Sequence, residues 1–68
     1  MVFDFHVADN AAPPFVGIYQ YDDGEAGPAL VRYAISEQFP VERVARWAEA
    51  RVRDLNSGRI TPAELVPS

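Results

Sequence analysis

The sequence predicts a small α+β domain in which a three-stranded antiparallel sheet packs on one amphipathic helix, in the order β-β-β-α. Near the start of the chain, apolar residues either alternate with polar ones or cluster in short runs, as they do in strands. A later stretch has apolar residues three and four positions apart, the spacing of a helix. A chain of 68 residues has room for one hydrophobic core. We therefore expect a single small domain.

The first two strands are predicted at about residues 2–8 and 15–21. Three apolar side chains of the first strand share one side: Phe3, Phe5 and Val7. A stretch with Asp, Asn and two prolines follows, and these residues favour a loop. In the second strand we expect Val16 and Ile18 to face the core, because tyrosines on the other side would need hydrogen-bond partners if they were buried.

The third strand is predicted at about residues 30–36. The residues 22–28 before it include Asp-Gly and end in proline, a combination that predicts a long hairpin loop. Val31, Tyr33 and Ile35 would share one face of the strand. The same segment also fits a short helix, because a proline precedes it as in a first helical turn.

The helix is predicted at about residues 40–56. Its apolar stripe comprises Val41, Val44, Ala45, Ala48, Val52 and Leu55. Pro40 suits the first helical position, and Asn56-Ser57-Gly58 offers a left-handed stop. A short capped turn is predicted at about residues 62–66, where Thr61 and Glu64 form a capping box. Three apolar residues of this tail are expected to cover one end of the core: Ile60, Leu65 and Val66.

Charge is unevenly distributed in this acidic chain, whose net charge is −4. Residues 1–29 contain five carboxylates and no cation, whereas residues 30–68 contain six arginines and five carboxylates. This balance disfavours direct binding to nucleic acid and suits a basic protein surface. We find no secretory signal, no membrane-length apolar run and no cysteine, so we expect a cytoplasmic protein without membrane association.

Candidate chemistry is sparse. His6 is the only histidine, and Asp4 is its only titratable neighbour on the predicted strand face. Asp22, Asp23 and Glu25 lack the spacing of a calcium loop, and no serine lies in a nucleophile elbow. We therefore expect no catalytic activity, no cofactor and no metal site.

Candidates for partner binding lie in three places. Trp47 flanks the apolar stripe of the helix, with Arg43 and Arg51 one turn to either side, and it serves either as a core residue or as an interface anchor. The acidic residues Asp22, Asp23 and Glu25 form a second candidate patch, on the predicted hairpin loop. The third candidates are Tyr19 and Tyr21, which with Tyr33 suggest cross-strand aromatic packing or a stacking platform.

These features favour a non-enzymatic interaction protein, a regulator or inhibitor from a bacterium or phage that binds a larger protein. A basic nucleic-acid-binding surface on that larger protein is a candidate target. An open sheet edge would also allow a homodimer.

An alternative is a small DNA-binding regulator. If residues 30–38 are helical, the stretch 34–47 resembles a helix-turn-helix, with Arg43 and Arg46 on the recognition helix that starts at Pro40.

Overall fold

A computed structural model describes residues 2–65 and has the predicted α+β architecture. Three antiparallel strands in the order β1-β2-β3 pack against one helix. The elements are β1 (Val2–Ala8), β2 (Phe15–Asp22), β3 (Glu25–Ala34), helix α1 (Val41–Ser57) and a 3₁₀ turn (Pro62–Leu65). The part of the predicted final turn that falls on Val66 lies outside the described residues.

The register of the sheet decides which side chains share the core face. Phe5 pairs with Ile18, which pairs with Val31, and the next row joins Val7, Val16 and Tyr33. Directly paired residues project to the same side of an antiparallel sheet. The interpretation of Val16 and Ile18 as core residues is confirmed, since both are fully buried.

The hairpin between β2 and β3 is much tighter than the sequence suggested. Asp22 pairs with Glu25, so the connection has only the two residues Asp23 and Gly24, with φ values of 52° and 82°. Positive φ at both positions defines the turn type that matches the twist of a two-residue hairpin. The predicted long loop over 22–28 is therefore wrong: β3 begins at Glu25, earlier than expected, and ends at Ala34.

The strand interpretation of the third element is confirmed, because Leu30 to Ala34 continues β3. The first helix that the helix-turn-helix alternative requires over residues 30–38 is thus a strand followed by bends. The β2–β3 register shifts twice, first at Leu30 and again at Gly27 and Pro28, and the second shift keeps in the strand a stretch that we interpreted as loop.

Helix α1 begins one residue later than predicted and ends at the expected glycine. Pro40 is the N-cap rather than the first helical residue, with an extended ψ of 163°, and its carbonyl accepts from the N–H groups of Arg43 and Val44. Gly58 adopts φ 80°, and the N–H groups of Gly58 and Arg59 donate to the carbonyls of Leu55 and Asp54. This arrangement satisfies carbonyl groups that the end of a helix would leave unpaired.

The helix lies mainly over β1 and β2. Four of its residues are buried there: Val44, Ala48, Val52 and Leu55. The 3₁₀ turn contacts β3 and buries Leu65, and Ile60 packs against the same core. In the turn itself, the Glu64 N–H donates to the Thr61 carbonyl at 3.0 Å, where we expected the Thr61 hydroxyl to be the acceptor.

Asn56 ties the end of the helix to the edge of the sheet. The Phe3 N–H donates to Asn56 Oδ1 at 2.9 Å, and Asn56 Nδ2 donates to the Phe3 carbonyl at 3.0 Å. The carboxamide therefore pairs with both backbone groups of one residue, as a neighbouring strand would. We had interpreted Asn56 only as part of the helix stop.

Replacing Asn56 with alanine is expected to lower the free energy of unfolding by about 1–3 kcal/mol, because two partly buried backbone groups lose their partner. Asn56→Asp should cost less, since a carboxylate still accepts from the Phe3 N–H but cannot donate to the Phe3 carbonyl. Urea unfolding followed by circular dichroism measures both. Asn10→Ala, in the exposed β1–β2 connection, is the control. Equal stability of the Asn56→Ala and Asn10→Ala proteins would contradict this role.

Candidate interaction surface

A groove opens between the edge of β3 and the first half of α1, because the helix covers mainly the other two strands. Its volume is about 500 Å³, within the range of small ligand pockets. We call it the Trp47 groove, and its lining comprises Arg32, Tyr33, Ala34, Phe39, Arg43, Val44 and Trp47. Aromatic and aliphatic side chains supply its walls, with arginine as the charged component.

Trp47 lies between the core and solvent. Its ring meets that of Tyr33 edge to face, with centroids 4.1 Å apart and an interplanar angle of 70°. Even so, 44% of Trp47 remains exposed, and Phe39, two residues before the start of α1, is 50% exposed. Trp47 thus joins α1 to the uncovered strand without belonging to the buried core. The groove has two large aromatic surfaces available to a partner.

Of the two arginines that lie one helical turn from Trp47, only Arg51 stacks on its ring. The Arg51 guanidinium carbon lies 5.4 Å from the centroid of Trp47, a cation–π distance. Arg43 instead lies 5.5 Å from the centroid of Phe39. Phe39 was not among the residues predicted to bind a partner, although a large aromatic residue immediately before Pro40 was a signal for one.

The ion pairs on helix α1 do not involve Arg43, the arginine of the helix that lines the groove. Two pairs of opposite charge lie four residues apart on α1. Arg53 reaches Glu49 at 3.1 Å, whereas Glu42 and Arg46 form no salt bridge. Arg51 lies 3.8 Å from Asp54. No carboxylate within residues 2–65 comes within salt-bridge distance of Arg43. Arg43 is thus a cation that stacks on an aromatic ring and keeps its charge available.

Tyr33 buries a hydroxyl group at the inner wall of the groove. Its hydroxyl is buried and has no hydrogen-bond partner among the described residues. Burial raises the pKa of Tyr33 above the ordinary tyrosine value, and the nearby Arg51 charge partly opposes that rise. The side chain is therefore held in its neutral form next to Trp47.

The acidic candidates lie at the other end of β3. Asp22, Asp23 and Glu25 are exposed at the tip of the β2–β3 hairpin. With neighbouring residues of the same hairpin they line a separate shallow cleft of about 490 Å³. The structure thus places the acidic candidates and the Trp47 candidates at opposite ends of one strand.

The tyrosines do not form one platform. Tyr33 shares the core face with Val16, whereas Tyr19 and Tyr21 lie on the opposite, helix-free face of the sheet. The Tyr19 ring folds over Gly17, where an added Cβ would come within 2.8 Å of it. The expectation that all three tyrosines pack together across the strands is therefore wrong. The cause is the register, which pairs Tyr19 with Ala29 instead.

His6 is exposed on β1 opposite Gly17. Within the described part of the chain, no three His, Cys, Asp or Glu side chains come together as metal ligands would. No helix there has the length and apolar character needed to cross a bilayer.

The chain has no match among protein-family models, curated proteins or solved structures. The geometry of its own surface is therefore the basis for assigning a function.

Replacing Tyr33 with phenylalanine is expected to raise the free energy of unfolding by about 1 kcal/mol, because it removes a buried hydroxyl that has no partner. The native protein should also lose stability as the pH rises past about 10, since the unfolded state releases the Tyr33 proton more readily than the folded state does. Below that pH this contribution is fully present. The Tyr33→Phe protein should lose less of its free energy of unfolding at alkaline pH than the native protein does.

Thermal unfolding between neutral pH and about pH 11 tests both effects. Tyr21→Phe, on the opposite face of the sheet, is the matched control. A Tyr33→Phe protein that is less stable than the Tyr21→Phe protein at neutral pH would mean that the hydroxyl is satisfied.

Proposed function

We propose that this is a non-enzymatic interaction protein, a small regulator or inhibitor encoded by a bacterium or phage, that binds a larger protein through the Trp47 groove. The observation that carries the proposal is the half-exposed Trp47, flanked by Phe39 and Arg43 in one concave surface. Tryptophan and arginine are the residue types most enriched in the hot spots of protein interfaces. The cytoplasmic location expected from the sequence belongs to the same proposal.

The exposed aromatic area supports binding energetically. An aromatic side chain has roughly 150–250 Å² to bury, so covering the exposed half of Trp47 or Phe39 removes on the order of 100 Å² from water. At about 25 cal/mol per Å², each ring contributes roughly 2–3 kcal/mol. Two such rings beside each other suffice for a central anchor, to which Arg43 adds charge specificity.

The chemistry of the lining favours binding over catalysis. The groove offers the Arg43 guanidinium, aromatic rings and aliphatic carbon, and its lining includes no carboxylate, imidazole or thiol. General acid–base or nucleophilic catalysis near neutral pH depends on such groups. The Tyr33 hydroxyl does not substitute for them, because its raised pKa keeps it protonated.

The acidic hairpin supports a second contact. Asp22, Asp23 and Glu25 are exposed and take part in no salt bridge within residues 2–65. Carboxylates in this arrangement attract a basic surface and speed association with it, and we propose the nucleic-acid-binding face of a larger protein as a surface of that kind. Direct binding of nucleic acid is disfavoured at this tip, because phosphates would meet carboxylates.

Trp47→Ala is expected to abolish recovery of the partner while the domain stays folded. The protein should become less stable by about 1–2 kcal/mol, because Trp47 loses its edge-to-face contact with Tyr33. Tagged wild-type and variant proteins are compared by affinity recovery from the native host, with circular dichroism to verify folding. Val2→Ala removes a residue that is 56% exposed and distant from the groove, and it serves as the control. Undiminished recovery with Trp47→Ala would exclude the groove as the docking site.

Neutralising the hairpin by Asp22→Asn, Asp23→Asn and Glu25→Gln together is expected to slow association with a basic partner. The effect should shrink as salt is added, because salt screens charges that are separated by more than about 10 Å. Asparagine tolerates the left-handed conformation of residue 23, so the turn should persist. Association rates at low and high salt measure the effect. An effect of equal size at both would point to a lost hydrogen bond rather than charge steering.

A further inference from the structure

The two edges of the sheet differ in how far they are protected. On the outer edge of β1, Asn56 occupies both backbone groups of Phe3. The next outward N–H, that of Phe5, donates to Asp4 Oδ1 at 2.8 Å. The side chains of Asn56 and Asp4 thus take the place of a neighbouring strand along the first part of this edge.

The first half of β3 is protected differently. Pro28 has no N–H to offer to another strand, and proline is a common means of blocking an edge. The register irregularities opposite Tyr19 and Tyr21 distort the same stretch. A regular ladder therefore does not extend over residues 25–30, because the spacing of outward groups is broken there.

From Val31 onward β3 is regular, and no backbone group of residues 2–65 pairs with its outer edge. The Ile35 N–H donates to the Pro14 carbonyl, so odd-numbered residues here direct their backbone groups towards β2. Alternation along the strand then directs the backbone groups of Arg32 and Ala34 away from the sheet. Both residues line the Trp47 groove. An unpaired ladder segment and an apolar groove therefore lie side by side.

We propose that the edge Val31–Ala34 receives an extended segment of the partner as a fourth strand, and that this segment alternates acidic and apolar residues. Successive side chains of an added strand point to opposite faces of the sheet. Apolar side chains would enter the Trp47 groove, and carboxylates would lie on the helix-free face beside the Arg32 side chain, which stacks on Phe15 there at 5.2 Å. This inference rests on the proposed function and names the class of partner.

Charge identifies the occupant as acidic. The Arg32 side chain lies on the face that the carboxylates would occupy and forms no salt bridge within the described residues. Arg43, which lines the groove, forms none there either. A second copy of the chain fits less well. Antiparallel pairing of two β3 edges about Arg32 would set that residue directly opposite its own copy, and like charges in that position are destabilising.

The test is a titration of the ¹⁵N-labelled protein with an eight-residue peptide that alternates glutamate with valine and has one central phenylalanine. Its twin has lysine for every glutamate. The glutamate peptide is expected to shift the amide signals of Arg32 and Ala34 and to slow their hydrogen exchange. The lysine twin should bind about tenfold more weakly. Arg32→Glu should reverse that preference.

Ala34→Pro isolates the backbone contribution. It removes an N–H that faces away from β2, and Tyr33 before it is already in the extended conformation that proline requires, so the fold should persist. The expected result is an almost unchanged melting temperature and about a tenfold loss of affinity for the glutamate peptide. Ala34→Ser retains the N–H and is the matched control, which should bind as the native protein does.

Three results would overturn the proposal: no binding of the glutamate peptide at about 1 mM, equal binding of both peptides, or wild-type affinity in Ala34→Pro. A concentration-dependent dimer that Ala34→Pro dissociates would assign the edge to a second copy instead. The two proposals also fail separately. Host-partner recovery that is lost in Trp47→Ala but retained in Ala34→Pro would preserve the proposed function and exclude strand addition.

Discussion

The pair of hydrogen bonds between Asn56 and the backbone of Phe3 fixes where the helix lies on the sheet. A helix is about 10 Å across and strands are about 4.8 Å apart, so one helix covers roughly two strands. Because Asn56 anchors α1 at the β1 side of the sheet, β3 is the strand that the helix leaves largely uncovered. The 3₁₀ turn and the Trp47–Tyr33 contact cover part of it, and the remainder is the Trp47 groove.

The aromatic residues on the two sides of the sheet have different roles as a result. On the core side, Tyr33 and Trp47 substitute for a second helix, and the unpartnered Tyr33 hydroxyl shows that this packing is imperfect. On the other side, the Tyr19 ring covers Gly17, and the Arg32 guanidinium stacks on the Phe15 ring. That side has no helix over it, so aromatic rings shield the backbone there themselves.

Most of the fold could be predicted from local patterns, because strand alternation and helical spacing are properties of neighbouring residues. Val16, Ile18 and the stop at Gly58 followed from such patterns. The tight turn at Asp23 and Gly24 was missed because the glycine and proline after it suggested a longer loop, whereas register irregularities keep that stretch in the strand.

The candidate site was less predictable, since it depends on contacts between distant residues. Trp47 and Arg43 were identifiable from their place beside the apolar stripe. Whether Trp47 would be buried depended on which strands the helix covers, and that depends on Asn56, which no local pattern connects to Phe3. The open edge at Arg32 and Ala34 was likewise invisible until the strand order and register were known.

The long span of the Asn56–Phe3 contact also bears on the order in which the chain folds. The two residues are 53 positions apart, whereas the β2–β3 hairpin closes through a two-residue turn. Local contacts form sooner than distant ones, because less chain entropy is lost in closing them. While the chain is being synthesised, the outer edge of β1 is therefore bare at Phe3 until Asn56 has emerged. Self-association of incomplete chains through β1 is the hazard that this late protection creates.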